Sequence, residues 1–313
     1  MMTTDLQSTL DTYNRDGIVV FDGLLDATEV AALRSDGEAI KARFHDKYGA
    51  TSPIKTRGGW RLDIPPVNLV RSNGAHLARA VGRAMAHPLI QQACHAILGP
   101  HWSTTALVFD YREPTTDPLP PEDFKSGYPP AYYWHVDHGM PGKLDPSIFT
   151  LRFQIYLNDT DFQRGALAYG RGSHRLVKHM RQQISALSAA QATMPVIDTH
   201  QSLTAARDYL TAHGHPLEPA FEDIYASFIE TAPSYKHASA DSACEGKAGT
   251  VLMFDDTGMH RGNFVQTDHR YVCRCLCMPT GLKSVLKDWV SIKNTLARNY
   301  YKATLNEPFR ALM

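Results

Sequence analysis

The sequence has no surplus charge of either sign: 32 Lys and Arg face 32 Asp and Glu over 313 residues, and its pI is near neutral. A chain without a basic excess has no electrostatic drive towards nucleic acid or anionic membranes, so neither partner is expected. It also lacks any run approaching the ~18 consecutive apolar residues of a membrane span. Met1–Thr12 is polar and carries Asp5 and Asp11, without the basic and apolar regions of a secretory leader, so a cytoplasmic protein is expected. Cysteine is scarce and odd in number, five in all, which argues against a disulfide framework. Cys273, Cys275 and Cys277 alternate along a β-prone run and read as small buried residues on one strand face.

Apolar residues make up 43% of the chain, enough for a sizeable core in one large domain. Leu6–Arg15 reads as a helix closed by Asp16-Gly17, and Ile18–Phe21 as a strand. Asp26 and Glu29 form a capping box that opens a second helix. Residues 49–75 read as irregular covering loops, and His76–Leu98 as one helix stopped by Gly99-Pro100. Strands are predicted at 104–111, 149–158, 250–254 and 270–278. The second of these alternates without a break: Phe149, Leu151, Phe153, Ile155 and Leu157 are apolar, their neighbours polar. Between them, residues 176–248 form an insertion with helical patterns at 176–187 and 203–212. Strands with helices gathered at the start and in one insertion predict a mainly β, α+β architecture.

Chemistry concentrates at Tyr132-Tyr133-Trp134-His135-Val136-Asp137 and at Met259-His260-Arg261. On extended backbone His135 and Asp137 project side by side. With His260 they would complete a two-His, one-carboxylate face that leaves three positions of a non-haem Fe(II) open. A single His-x-Asp pair is also what chance provides, and an isolated strand histidine is commonly structural.

Four segments in order give the pair a context. The opening Tyr13-Asn14-Arg15-Asp16-Gly17-Ile18-Val19-Val20, the Trp134-His135-Val136-Asp137 motif, Gly165-Ala166-Leu167 with Gly172-Ser173-His174-Arg175, and Gly249–Phe254 followed by His260 and Arg270 together resemble the phytanoyl-CoA dioxygenase family. One departure is Arg171, which stands where that pattern has proline. The resemblance implies a double-stranded β-helix in a single domain over 1–313. It further implies Fe(II) on His135, Asp137 and His260, with 2-oxoglutarate and O2 as cosubstrates and Arg270 as the anchor of the oxoglutarate. Arg261 and Arg274 are the competitors for that last role. A carboxylate at 137 fits hydroxylation of a small molecule rather than halogenation. A silent binding barrel, or a metal-dependent isomerase or lyase without oxoglutarate, are the alternatives.

Trp134, Arg152, Gln154, Tyr156 and Arg274 are candidate pocket residues. Arg274 shares a strand face with Arg270, and a buried arginine there needs either an interior acid or an anionic substrate group. The insertion at 176–248 is expected to act as a lid, with 230–248 its most mobile part.

Overall fold

The computed structural model describes residues 5–48, 55–56, 59–64, 80, 82–114, 133–137, 150–187, 197, 199–234 and 240–279. Its elements are α1 (Leu6–Asp16), β1 (Ile18–Phe21), α2 (Ala27–Tyr48), β2 (Lys55–Thr56), β3 (Gly59–Ile64), α3 (Pro88–Leu98), β4 (Trp102–Arg112), β5 (Leu151–Tyr156), β6 (Leu167–Tyr169), α4 (Ser173–Leu187), α5 (His200–Ala212), α6 (Pro219–Thr231), β7 (Val251–Asp255), β8 (His260–Gly262) and β9 (Arg270–Pro279). Seven strands form one antiparallel sheet in the order β1-β7-β5-β9-β4-β3-β2, and β6 pairs with β8 in a second. The architecture is therefore mixed α and β, with more helix than a mainly β reading anticipates.

Strand alternation divides the molecule. Odd-numbered positions of β5 and β9, Leu151, Phe153, Ile155, Cys273, Cys275 and Cys277, share one apolar core with Leu107 and Phe109 of β4. That core is covered by Tyr13 of α1, Leu33 and Ile40 of α2, and Ile90 and Ala93 of α3. The three strand cysteines are fully buried there, and none of the five is in a disulfide. Even-numbered positions, including Arg152, Gln154 and Tyr156, face the other way, towards β6 and β8.

Local signals place the first elements. Asp5 caps α1, and Gly17 ends it with φ 77, its N–H donating to the Tyr13 carbonyl at 2.7 Å. A β-carbon on Gly17 would stand 2.3 Å from His174, so only glycine lets α1 turn into β1 at this point. The Asp26–Glu29 box is reciprocal, each backbone N–H donating to the other side chain at 2.8 Å.

Two expectations need correction. Residues 59–64, read as loop, form β3 and pair with β4 from Gly59↔Arg112 to Ile64↔Leu107. The helix expected over 76–98 is interrupted: 86–87 are not helical, and Pro88 opens α3, with His87 as its N-cap. Proline favours a helix's first turn because it lacks the N–H that an interior position must donate. The segment 230–248 hydrogen-bonds to the core where it is described. Thr160 and Gly246 exchange backbone hydrogen bonds at 2.8 and 2.9 Å, and the Cys244 N–H donates to the Leu167 carbonyl at 2.7 Å. Residues 235–239 lie outside the described residues. The insertion also contains α6, which sequence patterning passed over.

Phe153 is fully buried between the sheet and its covering helices. Phe153→Ala is expected to lower stability by about 3–5 kcal/mol through lost burial and the cavity left behind, measured by urea denaturation. A loss below about 1 kcal/mol would mean that this face is not a packed core.

Candidate metal centre

Two short segments build the site. Residues 133–137 run extended beside 256–260, with the His135 N–H donating to the His260 carbonyl at 3.0 Å and the His260 N–H to the His135 carbonyl at 2.9 Å. The Asp137 N–H donates to the Asp256 carbonyl, also at 3.0 Å. Alternation then separates the side chains. Trp134 and Val136 enter an apolar cluster with Leu176 and Met180 of α4, Leu203 of α5 and Phe228 of α6. His135 and Asp137 turn to the opposite side and meet His260.

The three side chains converge: one ligand atom from each lies within 4.8 Å of the others. His135 Nε2 stands 3.8 Å from Asp137 Oδ1, and His260 Nε2 stands 3.5 Å from Asp137 Oδ2. The tautomers follow from the neighbours. His135 Nδ1 is 2.7 Å from the Tyr133 carbonyl, and His260 Nδ1 is 2.8 Å from the Gly258 carbonyl. A carbonyl only accepts, so each Nδ1 carries the proton and each Nε2 presents its lone pair to the common centre. Donors bound to one ion at about 2.1 Å and roughly at right angles lie ~3 Å apart, so a slight closure makes this set a facial triad.

The turn before His260 is pinned. Thr257 donates to Asp255 Oδ1 from its N–H at 2.9 Å and its hydroxyl at 2.6 Å. Tyr169 donates to the Asp255 carbonyl at 2.9 Å, and its hydroxyl would be 1.9 Å from a β-carbon at Gly258. Glycine at 258 lets Tyr169 approach the strand that carries the ligand.

Electrostatics keep the donors ready. Burial, with the nearby His260, pushes His135 down to about 4, although Asp137 opposes the shift. Burial alone would raise Asp137. Arg152, His260 and His135 outweigh it and hold the carboxyl well below its ordinary range. At neutral pH His135 is thus a neutral imidazole and Asp137 a carboxylate, the forms in which they bind a divalent metal. Among the described residues this is the cluster of three or more such groups able to hold a metal ion.

The remaining candidates separate into three groups. Arg152 pairs with Asp137 and lies 3.4 Å from Asp256 Oδ2. Arg270 is buried at the start of β9, donating from Nη1 to the Gly165 carbonyl at 2.6 Å and from Nη2 to Asp110 at 3.3 Å. Its Nε is buried with no hydrogen-bond partner among the described residues. Arg274 donates to Gln154 Oε1 and to Asp110 Oδ2, both at 2.9 Å. Asp110, absent from the sequence-based candidates, is therefore an acceptor for Arg270, Arg274 and Arg112 together. Burial would raise its carboxyl, but Arg274, Arg270, Arg112 and Arg61 bring it far below the usual range. An acid directly after the apolar Leu107–Phe109 run, inside a β-prone segment, was the available signal. Trp134 is not a pocket residue: it is fully buried, edge-on to Phe228 at 5.2 Å. Nor is the Tyr156 hydroxyl available, since it donates to the Cys244 carbonyl at 2.6 Å and accepts from the Leu167 N–H at 3.2 Å.

The sequence profile of the phytanoyl-CoA dioxygenase family matches residues 13–272, most of the chain, including the segments that carry His135, Asp137 and His260. The chain belongs to the phytanoyl-CoA dioxygenase family. An ectoine dioxygenase of Bordetella bronchiseptica is 26% identical over 256 residues, spanning 81% of this chain and 68% of the relative. Among solved structures, EctD from S. alaskensis with 2-oxoglutarate and 5-hydroxyectoine is similar at 19% identity and TM-score 0.48, covering 86% of this chain and 74% of that one. The non-heme alpha ketoglutarate dependent carbocyclase SnoK from nogalamycin biosynthesis is similar at 17% identity and TM-score 0.49, covering 89% and 84%. No helix among the described residues is long and apolar enough to cross a membrane.

The lowered His135 predicts an acid-labile fold. A histidine that stays neutral in the folded chain while its unfolded form protonates near 6.5 loses stability as pH falls. His174, which burial also lowers to about 4, adds to the effect. Metal-free protein is therefore expected to lose stability from about pH 6.5 down to about pH 4. Denaturant midpoints at several pH values should show the slope, and His135→Asn should flatten it. An unchanged slope in that variant would remove His135 as its source.

Proposed function

We propose that the protein is an Fe(II)- and 2-oxoglutarate-dependent dioxygenase that hydroxylates, or otherwise oxidises, a small organic substrate with release of succinate and CO2. The observation that carries this reading is the convergence of His135, Asp137 and His260 through two Nε2 atoms and a carboxylate, in a chain of this family. Those three residues would hold the metal. The donor set suits Fe(II), since it is imidazole and carboxylate with no thiolate and covers one face only. Fe(II) bound there would supply O2 activation coupled to the oxidative decarboxylation of 2-oxoglutarate.

The chain's own residues do the rest. Arg270 anchors the distal carboxylate of the oxoglutarate: its buried Nε has no partner among the described residues, while Asp110 and the Gly165 carbonyl fix the rest of the guanidinium. A rigid planar cation suits a carboxylate better than a lysine does. Arg274, tied to Gln154 and Asp110, supports that geometry from the same strand face, beyond Val272. Helices α4, α5 and α6 pack behind Trp134 and Val136 and keep water from the back of the ligand segment. The seven-stranded sheet and the β6–β8 pair would be the two walls of a double-stranded β-helix. A carboxylate retained at 137 favours hydroxylation over halogenation.

Two measurements test this. Under anaerobic Mn(II), 2-oxoglutarate is expected to raise the melting temperature, and a metal-dependent isomerase or lyase would not respond. Arg270→Ala should raise the oxoglutarate requirement roughly 10–100-fold, the cost of losing a charged hydrogen-bond donor, with metal affinity nearly intact. If Arg274→Ala did this and Arg270→Ala did not, the anchor is Arg274. Asp137→Gly should end succinate formation, and retained turnover would show that Asp137 is not a ligand.

A further inference from the structure

Arg152 is the least committed cation of the site. Arg270, Arg274 and Arg112 are each bound to Asp110. Arg152 instead leans on Asp137, an acid that is itself one of the three convergent metal donors, and reaches Asp256 only at 3.4 Å. The oxygen it contacts is Oδ2, the same atom that lies 3.5 Å from His260 Nε2. One oxygen cannot give its lone pairs fully to a divalent metal and remain the main partner of a guanidinium. A dication at the triad also repels the adjacent guanidinium. Metal binding therefore loosens Arg152 from Asp137 and leaves Asp256 as its tether, beside the reacting centre.

Charge shows what it then meets. Among the described residues, Arg112, Arg152, Arg270 and Arg274 face Asp110, Asp137 and Asp256, an excess of one positive charge. A divalent metal adds two charges and the oxoglutarate dianion cancels two, so the excess persists once both are bound. A largely buried site with a residual positive charge favours a further anion.

We propose that the metal releases Arg152 from Asp137, and that Arg152 then anchors a carboxylate or similar oxyanion on the substrate. This rests on the dioxygenase reading above and narrows its substrate class to anions. Arg274, the sequence-based candidate for that role, is held by Asp110 and Gln154.

The test uses the full chain, anaerobically. First, Mn(II) is titrated into metal-free protein and followed by electron paramagnetic resonance. Removing the competitor for Asp137 should tighten Mn(II) binding about three- to tenfold in Arg152→Gln, while Arg152→Lys should stay near wild type. Weaker binding in Arg152→Gln, with an unchanged melting temperature, would overturn the release step. Second, acetate and its neutral isostere acetamide are titrated onto protein loaded with Co(II) and 2-oxoglutarate, read by the visible Co(II) bands. Acetate should half-saturate at a concentration at least tenfold lower in wild type than in Arg152→Gln, and acetamide should do nothing in either. Acetamide matching acetate, an acetate response indifferent to Arg152→Gln, or acetate acting by displacing oxoglutarate would each refute the anchor. If oxoglutarate itself left the Co(II) bands of wild type unchanged, the dioxygenase reading would fail instead.

Discussion

Two hydrogen bonds exchanged between the backbones of His135 and His260 are the constraint on which the site depends. They join segments more than a hundred residues apart and set the two imidazoles side by side, with ring centroids 4.5 Å apart. Everything around them holds that register. The Asp137 N–H continues the pairing to Asp256, Thr257 folds the turn onto Asp255, and Tyr169 clamps the same turn from β6. Each imidazole is then oriented by a carbonyl two residues before it, from Tyr133 and Gly258. The ligand atoms meet because of main-chain geometry; little is left to side-chain freedom.

Asp255 shows how the fold carries this register outward. Its carboxylate accepts from Tyr13 of α1 at 3.1 Å and from Lys178 of α4, while its backbone N–H donates to the Gly17 carbonyl. One buried acid thus connects the first helix, the first helix of the insertion and the strand leading to His260. The insertion buttresses the ligand segment as well. Thr199 forms a bridge with His135, and Trp134 is wedged against Phe228. These contacts make α4 to α6 part of the scaffold behind the donors.

Much of this was legible in the sequence because it is periodic. The alternation of 149–158 assigned Leu151, Phe153 and Ile155 to the helix-covered face and Arg152, Gln154 and Tyr156 to the other, as the structure shows. His135 and Asp137 followed from the same rule. Partners fixed by tertiary pairing were not legible. Asp110 gathers arginines from β4 and β9, and nothing local in Val108-Phe109-Asp110 announces which cations will arrive. Trp134 was misplaced because a tryptophan beside a histidine ligand says nothing about which side of the strand has helices on it. Strand β3 was missed although Trp60, Leu62 and Ile64 alternate with Arg61 and Asp63, because the run is short and sits between Gly58-Gly59 and Pro65-Pro66, and α6 was missed because Pro219 begins it. A proline there is a helix start, a reading that competes with its role as a breaker.

The central claim is that His135, Asp137 and His260 form one Fe(II) site that accepts 2-oxoglutarate. Anaerobic addition of Fe(II) and then 2-oxoglutarate, followed by visible absorption, tests it most directly. The account predicts a metal-to-ligand charge-transfer band that saturates at one Fe(II) per chain, requires oxoglutarate and disappears in His260→Ala. A folded wild-type protein that develops no such band, or a His260→Ala protein that develops it undiminished, would contradict the account.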